Sequence, residues 1–161
     1  MLTFSKTIES FLPAIQKLTY LNRILENLYN INTQFNDCDF GLLYAQLKRK
    51  VTHRSLLLLY TNFEHISSLK RQLPYLKAIS KKHILVVIIF ENTELDKLIA
   101  SDAEDLQSIY HKTIAEKFSF EKRLMAKELQ KNGIQTILTA PENLTINTIN
   151  KYLEIKARGL L

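Results

Sequence analysis

Apolar positions along this chain alternate between two spacings. Residues 84–90 (ILVVIIF) are apolar without a break, and residues 55–61 (SLLLLYT) nearly so. Runs this short and uniform predict strands covered on both faces, as in parallel sheets. Residues 134–139 (IQTILT) predict a third, ended by Pro141. Between and after them the spacing turns helical. Ile66, Leu69, Leu73, Leu76 and Ile79 predict a helix over 65–80, with Pro74 set to kink or split it. A short helix follows near 93–99. A long one spans 103–131 and stops at Asn132-Gly133. The last covers 145–158 and stops at Gly159.

The first third is less regular. Residues 2–14 predict a short hairpin turning at Ser5 and Lys6, with Phe4 on one arm and Ile8 and Phe11 on the other. Leu18, Leu21, Ile24, Leu25, Leu28 and Ile31 predict a helix over 18–31, with Thr19 as N-cap. Asp37 or Asp39 caps another over 40–50, whose basic end (Lys48, Arg49, Lys50) suits the helix dipole. The second half thus reads β-α-β-α-β-α. That order implies a doubly wound, three-layer, mostly parallel α/β sheet with right-handed crossovers. No repeat or linker marks a boundary, and 161 residues fit a single domain.

Composition narrows the chemistry. Only 3 Gly in the chain cannot build a phosphate-cradling loop, and no GxGxxG, GxxxxGK[ST] or GxSxG occurs. His53, His65, His83 and His111 show no paired-ligand spacing, so zinc is not expected. His83 marks the start of the 84–90 strand. The lone Cys38 points to a reducing, cytoplasmic setting. No apolar run is long enough for a membrane helix. The net charge of +6 raises nucleic acid as a partner. Lys48-Arg49-Lys50, Lys70-Arg71, Lys81-Lys82 and Lys122-Arg123 lack interleaved aromatics, however, and read as solvated helix faces and ends.

Ligands of open α/β sheets gather at the carboxyl ends of the strands. Those ends hold Thr61-Asn62-Phe63-Glu64, Glu91-Asn92-Thr93-Glu94 and Thr139-Ala140-Pro141-Glu142. Glu64, Glu91 and Glu94 can form a carboxylate cluster for a hard cation, the basis of a metal-dependent hydrolase or phosphate-handling enzyme. The competing reading makes Asn62, Asn92 and Thr93 helix caps with Glu in the first turns, and it is preferred.

RSLLLLYTNFE (54–64), IAEKFSFEKRLMAKELQKNGIQTILTAPENLT (114–145) and NKYLEIKARGLL (150–161) resemble the domain of unknown function fifty-eight family, a bacterial branch of the von Willebrand factor A-like fold. The resemblance runs from about residue 4 onward and is strongest in the last fifty or so residues. It implies a Rossmann-like sheet whose first strand normally holds a DxSxS loop, which builds a metal-ion-dependent adhesion site with a Thr and an Asp from later loops. This sequence has no DxSxS. By the resemblance Thr19 stands at the second loop, and Thr61-Asn62 stand where the third loop places Thr-Asp. Asn62 replaces the Asp, so no metal is expected here. Mg2+ is expected only in a longer chain carrying the missing loop.

The resemblance further implies a non-enzymatic protein-interaction role beside MoxR-type AAA+ ATPases, and full-length members are often membrane-anchored. The chain reads as the C-terminal part of such a protein. Its expected docking surface is Asn62, Phe63, Glu64 and Asn92. Without the first strand, either the hairpin pairs with the 55–61 strand or a hydrophobic sheet edge stays open, which favours self-association or marginal stability.

Overall fold

A computed structural model describes residues 1–15, 20–31, 38–101 and 105–160. The chain divides into two compact units, Met1–Thr52 and His53–Leu161.

In the first unit, β1 (Leu2–Phe4) and β2 (Ile8–Phe11) form an antiparallel hairpin. The Thr3 and Ser10 hydroxyls meet across it at 2.7 Å. The Met1 amino group closes its open end on the Leu12 carbonyl at 2.6 Å. The helix α1 (Tyr20–Tyr29) follows, and no residue of it is buried. Its predicted N-cap, Thr19, lies outside the described residues, as does Asp37. The helix α2 (Phe40–Lys50) is capped by Asp39, whose carboxylate accepts the Leu42 amide at 2.9 Å. Phe40, Leu43 and Leu47 are its buried stripe. Phe40 meets Phe4 edge-on at 5.5 Å, and the Asp39 amide donates to the Ser5 carbonyl, so the start of α2 is fastened to the hairpin turn.

The second unit is built on β4 (Ile84–Phe90), whose residues 84–89 are all buried. It pairs in parallel with β3 (Leu56–Tyr60) and with β5 (Gln135–Thr139), giving the order β3-β4-β5. The connections are α3 (Ile66–Lys82), then α4 (Thr93–Ala100) and α5 (Leu106–Lys131); α6 (Leu144–Ala157) ends the chain after a 3-10 turn at Pro141–Asn143. Each crossover steps the same way across the sheet, so right-handedness puts α3 and α5 on one face. They cover Leu85, Val87 and Ile89 there, burying Leu69, Leu76, Met125 and Leu129. On the other face Ile155 of α6 packs against Ile84, Val86, Ile88 and Ile137. The result is a Rossmann-like α/β arrangement. No helix among the described residues is long and apolar enough to cross a membrane.

Local chemistry explains most of the boundaries. Gly133 (φ 75°) and Gly159 (φ 64°) take the left-handed backbone that ends α5 and α6. Asp105 starts α5 by a reciprocal cap with Ser108. Pro74 does not split α3, which runs through it as one helix. Pro74 and Lys70, whose carbonyl loses its helical donor, both sit on the exposed side where water substitutes, while Leu69, Leu76 and Ile79 hold the inner side.

The expectation that the 55–61 strand is covered on both faces fails. Leu58 is 38% exposed and Tyr60 50%. Their register opposite Val86 and Ile88 places them on the face of α6, which covers β4 and β5 and reaches β3 only at Leu56. Among the described residues β3 has a strand partner on one side only, and the hairpin forms a separate two-stranded sheet. His83, at the end of α3, is buried with its Nδ1 unpartnered among the described residues. Burial, helped by Lys82, pushes its imidazole below the ordinary histidine value.

Because α6 has an inner and an outer apolar side, two alanine substitutions separate them. Ile155 is 1% exposed and Ile146, half a turn round, 62%. Ile155→Ala is expected to cost about 3 kcal/mol in urea unfolding, and Ile146→Ala less than about 0.5 kcal/mol. Equal losses would contradict the packing of α6.

Candidate functional site

Parallel strands that end at one edge of a sheet deliver their following loops to one place. Here the chain leaves β3 through Thr61-Asn62-Phe63-Glu64 and leaves β4 through Glu91-Asn92. Both loops open into a cavity of about 670 Å³. Asn62, Glu64, Glu91, Asn92 and Thr93 line it, with Pro141 from the end of β5. The remaining wall comes from His65, Phe90, Leu95, Asp96 and, on α5, Phe118, Ser119 and Lys122.

Several of these residues are fixed by identifiable contacts. Asn92 caps α4, its Oδ1 accepting the Glu94 amide at 3.1 Å. The Glu91 amide donates to the Thr139 carbonyl at 3.0 Å, tying the β4 exit to the β5 end. Asn147 donates to the Thr139 hydroxyl at 2.8 Å, so α6 braces the same corner. His65 stacks on Phe118, with centroids 6.5 Å apart, and its Nδ1 lies 3.3 Å from Oε2 of Glu121.

Lys122 holds the β3 exit. Its ammonium donates to Oδ1 of Asn62 and, at 2.6 Å, to the carbonyl of Phe63. Burial pushes the Lys122 amine below its ordinary value, opposed by the Glu64 and Glu121 carboxylates. A cation shared between a neutral amide and a peptide carbonyl clamps the loop to the middle of α5.

Two expectations from the sequence need correction, and the less favoured carboxylate-cluster reading finds no support. Phe63 is 5% exposed and is a core residue, not part of a surface; only its carbonyl faces Lys122. Its place between two polar residues at a strand exit hid this, yet it anchors the loop from within. Lys122 is not a solvated helix position. It lies on the same stripe as Ala115, Met125 and Leu129, all buried, and that seven- and three-residue spacing was the signal that sets it apart from Arg123. The carboxylates Glu64, Glu91 and Glu94 are not gathered either. Glu64 and Glu91 line the cavity but Glu94 does not. No group of three or more His, Cys, Asp or Glu suited to a metal ion occurs among the described residues. Glu94 instead sits exposed on the first turn of α4, which Asn92 caps through the Glu94 amide.

Asn62, Glu64 and Asn92 do come together, from two strand ends. Thr61 is half-buried and donates its amide to the Ile88 carbonyl at 3.2 Å, while Thr19 lies outside the described residues. His65, Asp96, Phe118 and Ser119 were not anticipated. Comparison with protein-family models, curated proteins and solved structures finds no match to this chain.

The clamp has a pH signature. With its folded-state pKa below the ordinary 10.5, Lys122 binds fewer protons folded than unfolded as pH approaches that value, so stability rises with pH there. The stability of wild type relative to Lys122→Met is therefore expected to increase as pH rises toward 10.5, read by urea unfolding. A difference that stays flat or falls would contradict the burial of this amine.

Proposed function

We propose that this chain is a non-enzymatic protein-interaction domain of von Willebrand A-like type, docking its partner at the carboxyl end of the β3-β4-β5 sheet. The observation that carries the reading is the convergence of Asn62, Glu64, Glu91 and Asn92, from two strand exits, on one open cavity. Such crevices are where open α/β sheets take their ligands. A volume of about 670 Å³ admits one or two side chains rather than a folded segment. The partner then inserts a side chain and rests on the rim.

The sequence resemblance supplies the class of partner, a MoxR-type AAA+ ATPase. It also accounts for Asn62 at a position where a ligating Asp is expected. In this reading the ammonium of Lys122 holds Asn62 and fixes the loop without a metal. The rim keeps its shape by side-chain hydrogen bonds, so partner binding is independent of divalent cations.

Calorimetric titration of the chain with a purified MoxR-type ATPase tests both halves. Wild type is expected to bind, and Asn62→Ala/Glu64→Ala to bind at least about tenfold more weakly, the loss of one good interface contact. Circular dichroism is expected to stay unchanged. An unaltered Kd in the double variant would remove this surface, and no binding by wild type would remove this partner.

A further inference from the structure

The charge of the cavity runs against the charge of the chain. The sequence holds 22 basic residues against 16 acidic ones. Among the described residues that line the cavity, Glu64, Glu91 and Asp96 are acidic, and only Lys122 is a permanent cation. That ammonium already donates to Asn62 and Phe63. The α3 and α4 N-termini also meet the cavity, at His65 and Asn92. Each helix end adds no more than about half a positive charge, which does not offset three carboxylates. The other lining residues include the apolar and aromatic Phe90, Leu95, Phe118 and Pro141.

A lining that is both acidic and aromatic selects a cation with an apolar stem. A metal ion gains nothing from the aromatic side chains. An anion meets the carboxylates. A guanidinium fits both parts, because it is weakly hydrated, stacks on aromatic faces and pairs with carboxylates through two parallel hydrogen bonds. We propose that the cavity receives an arginine side chain of the partner protein, its guanidinium at Glu91 and Asp96 and its stem on Phe90 and Phe118. This inference rests on the docking reading above and names the chemistry of the group inserted.

The test uses the whole chain and three short peptides, acetylated and amidated, identical except for a central arginine, citrulline or glutamate. Citrulline keeps the shape of arginine and removes its charge. Binding is followed by amide chemical shifts of Asn92, Thr93 and Phe118. The arginine peptide is expected to saturate these shifts, with citrulline about two- to fivefold weaker, as for loss of one partly exposed ion pair. Glu91→Gln/Asp96→Asn is expected to abolish the difference between the two while leaving the remaining spectrum in place. Equal binding of citrulline would overturn the arginine assignment and leave the docking site standing. Tighter binding of the glutamate peptide, or no shift with any peptide at millimolar concentration, would also overturn it. Loss of the docking reading itself shows instead as unchanged ATPase affinity in Asn62→Ala/Glu64→Ala.

Discussion

Everything in the second unit depends on the double burial of β4. Residues 84–89 are buried, and Val86–Ile88 among them are paired with a neighbouring strand on both edges. Each such aliphatic side chain contributes roughly 1.5–3 kcal/mol when taken out of water. No other segment among those described concentrates so much burial in so few residues. The strand sets the register of β3 and β5, and that register decides where their exits lie. Shifting β4 by one residue would swap its two faces and turn Ile155 of α6 onto the wrong set of side chains.

The candidate site inherits its geometry from this frame. Three parallel strands end at one edge, so their exits are neighbours whatever the loop sequences are. The loops then add local fixings: the Asn92 cap, the Glu91–Thr139 backbone bond and the Lys122 clamp. The last is the costliest, since it keeps a cation half out of water, offset by two oxygen acceptors and the fields of Glu64 and Glu121. A half-buried lysine spent on holding a loop is what a rim of fixed shape requires.

Much of this was legible beforehand. The run ILVVIIF admits little besides a central strand, and Asn132-Gly133 and Gly159 stop helices for a steric reason that sequence displays. A cap at Asp37 or Asp39 was readable because only a short side-chain acceptor serves there, and the Leu42 amide bond assigns it to Asp39. Pro74 was harder, as its effect depends on whether the orphaned Lys70 carbonyl faces water, which is a tertiary fact. The exposed side of β3 was hidden in the same way: four consecutive leucines say apolar, not which of them α6 reaches. For the site, the strand exits were found from topology. The contribution of α5 was missed because Lys122 looks like one of a basic pair until its alignment with Ala115, Met125 and Leu129 is noticed.

Amide hydrogen exchange measured residue by residue by NMR tests the central role of β4 most directly. The account predicts the slowest exchange in the chain at Val86–Ile89, intermediate rates in β5 and the inner turns of α3 and α5, and fast exchange in α1, which buries nothing. Exchange at Val86–Ile89 as fast as in α1 would contradict it. The strand would then not be the frame on which the loops at Asn62 and Asn92 are hung.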